Sequence, residues 1–374
     1  MVILRSSIQQ RKELMVFSRI DFNMLNNVTN PNSIHGIYPY RGKISAKDAE
    51  NIISKLPNTG NFLDPFCGSG TIVYEAEKHG LNAFGVDNNP LAITIAKAKT
   101  HRGNGDQVSF GNDIVEKAIK DLSTGNYRDM PINVKNCFHE KTAAEIMCVK
   151  NYFDEMNDFL KGVFFGTIAL VARACNGYVW TSSTVGKNME SKQYVSFFEK
   201  FIAKIKKHSK HLIDVDSQGA STIISGDSRC LSKFLEPNSI DFVFTSPPYF
   251  DGLDYTAYYG KLIYEIFEVD RVQIKKNLIQ HVDSYKADMK QVLDEIDIVT
   301  SDNALIVFVV GDKKVGKEVI NGGDFFNSIK QASYILEREY TGSSSQVFDV
   351  LNNTKRKEQI VVWDKKDGKV IKYE

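Results

Sequence analysis

Asn61-Phe62-Leu63-Asp64-Pro65-Phe66-Cys67-Gly68-Ser69-Gly70-Thr71 is the stretch on which the fold turns. A short apolar run ends in an acid and a proline, two glycines follow, and a helical pattern then runs to His79-Gly80, where the glycine suits a helix stop. A second strand, Ala83-Phe84-Gly85-Val86, ends at Asp87, and a further helix spans Pro90 to about Lys99 with proline in its favoured first turn. Right-handed crossovers place the tips of two such parallel strands on the same sheet edge. Glycines there let a ligand approach the backbone, and the free N–H groups of the helix start can receive its negative end. The Asp87 carboxylate is then placed to accept hydrogen bonds from two ribose hydroxyls. By itself the glycine pair also describes an ordinary strand-to-helix turn. A nicotinamide-type fingerprint would want a third glycine at position 73, where the chain has Val73.

Upstream, residues 1–33 read as a weakly patterned peripheral arm. Tyr38-Pro39-Tyr40-Arg41-Gly42-Lys43 follows, then a helical pattern through Ala49, Ile52, Ile53 and Leu56, closed by Pro57. Downstream, residues 101–220 interrupt the alternation. Arg102 to Asn133 reads as polar and turn-rich. Ala143 to Ala174 is helical, with Ile146, Val149, Tyr152, Phe153, Met156, Phe159 and Leu160 as its stripe. A third helical stretch carries Tyr194, Phe197, Phe201 and Ile205, with Lys200, Lys204, Lys206, Lys207 and Lys210 along or beyond it. Aromatic stripes are ordinarily core and lysine runs ordinarily solvated. The sharper reading is a lobe beside the sheet whose basic helix meets phosphates.

Alternation then resumes. Thr222-Ile223-Ile224 leads to Gly226-Asp227, and Ile240 to Thr245 forms a fourth strand. Helical patterns cover Tyr255 to Phe267, Met289 to Val299 and Phe325 to Ala332. Ala304 to Val310 suits a central strand, and Tyr334 to Tyr340 can pair with Gln359 to Trp363 as a closing hairpin. Three blocks result: 1–100, 101–220 and 221–374.

The fourth strand stops at Thr245-Ser246-Pro247-Pro248-Tyr249. Two prolines fix φ, remove two donors and leave carbonyls able to accept. A hydroxyl before them and a ring after them make a stiff rim that can hold an amino group and stack on the planar molecule carrying it. Alone, the motif is equally a proline turn closing a strand.

Composition narrows the classes. With 42% hydrophobic and 25% charged residues the chain is globular, and a net charge of +1 confines any nucleic-acid contact to local basic patches. Five scattered cysteines, odd in number and without ligand spacing, point to a reducing, cytoplasmic setting and to neither a disulfide framework nor a zinc site. The N-terminus carries no signal-peptide pattern. Val163 to Cys175 is the most apolar run, but it is short and contains Arg173, so a buried helix is expected and no membrane span.

The two motifs, each at a strand tip in a β/α alternation, resemble those of the class I S-adenosylmethionine-dependent amino-methyltransferases of DNA. The resemblance covers most of the chain outside 101–220. It implies an α/β, Rossmann-like fold: a mostly parallel seven-stranded sheet with helices on both faces, plus a mainly helical insertion. It implies S-adenosylmethionine as cofactor, with Asp64, Phe66, Gly68 and Gly70 at the methionine end, Asp87 at the ribose, and Thr71 and Asn88 also among the cofactor-binding residues. Asp227 becomes a candidate for the adenine amino group, though it also reads as a turn acid. Ser246, Pro247, Pro248 and Tyr249 become the catalytic corner. Hydrogen bonds from an exocyclic amine to the Ser246 hydroxyl and the Pro247 carbonyl return its delocalised lone pair for in-line attack, while Tyr249 stacks on the base. A paired base must leave the duplex to reach such a site.

Within that family a leading serine goes mostly with cytosine N4, and a leading Asp or Asn with adenine N6. Cytosine-N4 methylation of double-stranded DNA is therefore expected, with adenine N6 as the alternative. Guanine-N2 enzymes of tRNA are further off, since they usually lead with Asn or Asp and add an RNA-binding domain. A non-catalytic nucleic-acid-binding module is the remaining option. The glycine turn precedes the proline corner, the reverse of most cytosine-N4 relatives. Target recognition then falls to 101–220, or to Asp270–Lys290 with Arg271, Lys275 and Lys276. Expected partners are duplex DNA and a cognate restriction endonuclease, with no membrane and no metal.

Overall fold

The computed structural model describes residues 33–40, 44–103, 105–177, 192–248, 254–257, 259–315, 318–338 and 358–366. The chain runs α1 (Ala46–Ile53), β1 (Asn61–Asp64), α2 (Thr71–Lys78), β2 (Asn82–Asp87), α3 (Pro90–Lys99), α4 (Gln107–Thr124), α5 (Glu140–Lys150), α6 (Asp158–Cys175) and α7 (Phe197–His208). It continues β3 (Ala220–Ser225), β4 (Ile240–Thr245), α8 (Tyr259–Ile266), α9 (Arg271–Asn277), α10 (Val282–Val299) and β5 (Thr300–Gly311). A short hairpin, β6 (Lys313–Val315) and β7 (Glu318–Ile320), precedes α11 (Gly322–Ile329), β8 (Tyr334–Arg338) and β9 (Glu358–Asp364).

Seven strands form one sheet in the order β3-β2-β1-β4-β5-β9-β8. Pairs β3–β2, β2–β1, β1–β4 and β4–β5 are parallel, and β9 lies antiparallel to both of its neighbours. This is the doubly wound, Rossmann-like α/β class, and the strand order reverses between β1 and β4. The expected hairpin of the last two strands is present, and the β6–β7 hairpin is an addition that the residue pattern did not signal.

Unbroken apolar strands follow from a sheet covered on both faces, because successive side chains point to opposite sides. Phe62, Phe244, Val307 and Val309 meet Ala49, Ile52, Ile53 and Ile72 on one face. Leu63, Val243, Ile306 and Phe308 meet Met289, Val292, Ile296 and Phe326 on the other.

Segment 101–220 differs from expectation at its start. The stretch read as turn-rich contains the 18-residue helix α4, capped by Asp106 accepting from the Val108 and Ser109 amides and ended at Gly125, φ +70°. Its polar residues are the solvated face, while Ile114, Val115 and Ala118 are buried. The long helical stretch after it is two helices, because Asn157 caps α6 through the Leu160 amide. Helix α6 is buried along most of its length, and no helix among the described residues is long and apolar enough to cross a membrane. These helices share one core with Leu91, Ile95 and Ala98 of α3 and Leu262, Ile263 and Tyr264 of α8. This core contains no strand residue and is distinct from the two that cover the sheet, which it meets through α3.

Candidate active site at the switch point

Strands β1 and β4 are neighbours in the sheet, so their carboxyl ends lie side by side where the order reverses, the place at which such sheets bind ligands. The Thr245 hydroxyl at the end of β4 donates to Asp64 Oδ1 at the end of β1 across 2.5 Å. The glycine turn and the proline corner are thereby tied together. They share a cleft of about 610 Å³ lined by Phe66, Gly68, Asp87, Asn88, Asp227, Ser246 and Pro248, with Tyr40, Asn89, Ser228, Tyr255, Leu278 and Ile279.

Backbone amides organise the β2 tip. Asp87 Oδ2 accepts from the Gly68 amide at 2.9 Å and Oδ1 from the Asn89 amide at 2.8 Å. The carboxylate keeps acceptor capacity for a ligand hydroxyl. Desolvation raises the Asp87 carboxyl to about 6 against the opposing amides of Asn89, Gly68 and Asn88. Gly68 adopts φ +48° and Gly70 φ +71°, the left-handed region that favours glycine. At Gly70 the reason is also steric: a Cβ would lie 2.8 Å from Ala96 Cβ and 2.9 Å from Ala96 Cα on α3.

Not every expected site residue faces the cleft. Asp64 is 1% exposed and sits behind the wall, accepting from Thr245 and, at 3.1 Å, from the Phe66 amide. Burial pushes its carboxyl up to about 7 despite both hydrogen bonds. Gly70 packs on α3, and Thr71 turns beneath the glycine turn, where its hydroxyl and that of Ser69 accept from the fully buried Lys99 ammonium at 3.1 and 3.0 Å. These three shape the turn from the rear. In the proline corner, Ser246 and Pro248 line the cleft, whereas Pro247 is buried and lines a second, smaller hollow with Tyr285, Lys313 and Phe325. Tyr249 lies outside the described residues.

Asp227 lines the cleft, but its carboxylate is gripped by Arg229, whose Nη2 is 2.6 Å from Oδ2 and whose Nε is 3.0 Å from Oδ1. Arg229 also donates to Asp288 Oδ1 at 2.8 Å. The Ser228 hydroxyl donates to the Pro65 carbonyl, joining this corner to the β1 turn. On the 270–290 segment, Arg271 and Lys275 are both engaged by Asp254, at 3.4 and 2.9 Å. Sequence reasoning missed the cleft residues Tyr255, Ser228, Leu278 and Ile279, which carry no local signature. Tyr40 stood within a quoted motif, and Asn89 had the visible signal of a helix cap directly after the β2 acid.

The arrangement fits S-adenosylmethionine. Asp87 offers a carboxylate acceptor to a ribose hydroxyl, Leu278 and Ile279 give an apolar wall for a flat ring, and a tyrosine-lined cleft with the carboxylates of Asp87 and Asp227 suits a cationic sulfonium. Asn89 is 1% exposed, and its Nδ2 has no hydrogen-bond partner among the described residues while its Oδ1 caps α3. A buried donor at a cleft wall is an opening for a polar ligand.

The chain is similar to several known proteins. The chain is 25% identical over 80% of its length to the type II methyltransferase M.MvaI of Kocuria varians, covering 71% of that protein. It is 22% identical over 90% of its length to the type II methyltransferase M.MjaII of Methanocaldococcus jannaschii, covering 80% of that protein. A solved geranyl diphosphate methyltransferase in complex with S-adenosylmethionine aligns over 86% of each chain at 7% identity with a TM-score of 0.35. The model of the D12 class of N6 adenine-specific DNA methyltransferases matches residues 45–310, which include both strand tips and every cleft residue except Tyr40. The chain belongs to that family and is an S-adenosylmethionine-dependent DNA methyltransferase.

Proposed function

We propose that the protein methylates the exocyclic amine of a base flipped out of duplex DNA, and that the base is cytosine, modified at N4. The observation that carries the first part is the Thr245–Asp64 hydrogen bond, which sets Ser246 and Pro248 on the wall of the cleft that holds Asp87 and Gly68. Bound S-adenosylmethionine supplies an electrophilic methyl group on a sulfonium. Asp87 with Asn88 takes the ribose, Phe66 and Gly68 take the methionine end, and Asp64, Gly70 and Thr71 hold that turn in shape. Asp227, oriented by Arg229, faces the adenine end. The Ser246 hydroxyl and the Pro247 carbonyl accept from the two N–H groups of the target amine, drawing its nitrogen towards a tetrahedral form with the lone pair free. Tyr249, next in the chain, stacks on the base.

Ser246 at the head of the corner favours cytosine N4. The family description favours a second reading, adenine N6. Segment 101–220 is the candidate for target recognition, since Arg271 and Lys275 of the alternative segment are already paired to Asp254. The test is incubation with labelled S-adenosylmethionine and unmethylated bacterial duplex DNA, followed by mass spectrometry of the nucleosides. N4-methylcytosine is the expected product. N6-methyladenine in its place would move the assignment to the second reading, and methylation of tRNA alone would overturn DNA as the substrate.

A further inference from the structure

We propose that Tyr285 is a positioning residue for methyl transfer, acting by holding the proline corner through the Pro248 carbonyl; this rests on the function proposed above. The need for such a residue follows from the corner's chemistry. Pro247 and Pro248 have no N–H, so the backbone of these two residues can be anchored only through its carbonyls, by a donor from elsewhere. Tyr285 is that donor: its hydroxyl lies 2.6 Å from the Pro248 carbonyl oxygen, 37 positions away in sequence.

The donor is itself held firmly. Tyr285 is 4% exposed in the first turn of α10, and its ring packs against Phe325 at 5.5 Å between centroids, with Phe325 edge-on to Phe326 at 5.4 Å. A tyrosine locked by packing places its hydroxyl without losing rotamer freedom at the moment of reaction. The same residue lines the hollow that Pro247 lines, so it adjoins both prolines of the corner.

One helix also reaches the far end of the cleft. Asp288, three residues on and so on the same face of α10, holds Arg229, which grips Asp227. Helix α10 therefore takes its bearing from both ends of the site: Tyr285 sets the rim where the amine docks, and Asp288 sets the wall where the donor lies. Methyl transfer requires the amine nitrogen and the methyl carbon in line at near-contact distance, and a misplacement of about 1 Å costs on the order of 100-fold in rate. Loss of one hydroxyl would act on that distance while leaving the cleft itself intact.

The experiment is Tyr285→Phe, which keeps the ring and its contact with Phe325 and removes only the oxygen. Wild type and variant, each in excess over unmethylated bacterial DNA, are compared for the rate of labelled methyl transfer. Dissociation constants for S-adenosylhomocysteine, the melting temperature and the rate of a Ser246→Ala/Tyr285→Phe double variant are measured alongside. The expected result is a fall in rate of about 10- to 100-fold with the dissociation constant within about twofold of wild type. In the double variant the further loss due to Tyr285→Phe shrinks to below about threefold, because both changes act through one corner. An unchanged rate would overturn the inference. So would a loss matched by equally weaker S-adenosylhomocysteine binding, which would make Tyr285 part of the cleft's general structure. A wild-type protein that methylates no DNA would instead refute the functional reading on which the inference stands.

Discussion

Asp64 couples the site to pH, and Asp64→Asn isolates that coupling. The carboxyl is 1% exposed, and burial raises it from the usual carboxylate range to about 7, against hydrogen bonds from the Thr245 hydroxyl and the Phe66 amide. The native protein therefore keeps this proton to a higher pH than the unfolded chain. Between about pH 4 and pH 7 it binds more protons than the unfolded state, so unfolding free energy falls as pH rises through that window and levels off above it. About three pH units at roughly 1.4 kcal/mol each set a ceiling of about 4 kcal/mol. Asparagine keeps an acceptor for Thr245 and Phe66 but cannot ionise, and any cost of seating its amide is the same at every pH. Urea unfolding at pH 5 and pH 8 reads the effect. The stability of Asp64→Asn relative to wild type should shift in the variant's favour by about 2–3 kcal/mol between the two. Asp87, raised to about 6, has the same sign but is present in both proteins and cancels. Wild-type and variant curves that run parallel within about 0.5 kcal/mol would refute the reasoning, since no uncompensated buried ionisation would then exist at position 64.

Three further outcomes can be checked. Gly70→Ala places a Cβ 2.8 Å from Ala96 Cβ at φ +71°; left-handed strain and overpacking together predict a loss of about 2–5 kcal/mol in denaturant unfolding, and a loss below that range would mean α3 moves aside freely. Arg102→Ala strips the partner from Glu77, which is fully buried 2.6 Å away, and removes the donor to the Val215, Ser217 and Gly219 carbonyls; stability should fall by about 3–5 kcal/mol, with Arg102→Lys recovering only part of it. Ser246→Ala should lower methyl transfer by about 100- to 1000-fold while S-adenosylhomocysteine binding stays within about threefold, and undiminished turnover would remove Ser246 from the chemistry.

The glycine turn, the β2 acid and the proline corner were readable because each is a run of neighbouring residues obeying a local rule: alternation along a strand, a left-handed glycine, a proline stop. The same rules misread Arg102 to Asn133, where Asp106 and Gly125 were valid start and stop signals overshadowed by a polar face. They also assigned Asp64, Gly70 and Thr71 to the cleft, since a motif names the residues of a turn without saying which of them face a ligand. Asp64 and Thr71 instead turn to partners behind the wall, and Gly70 to the backbone of α3.

From the order of residues alone came the α/β class, the two tips and the chemistry they suggest, because strand, turn and helix preferences act over a few bonds. Only tertiary packing decided that Thr245 closes on Asp64, that Asp288 holds Arg229, and that a tyrosine on α10 steadies the proline corner. Those contacts join residues as far as 181 positions apart and depend on the angle at which helices settle on the sheet, a quantity set by the summed fit of many side chains and inscribed in no single stretch.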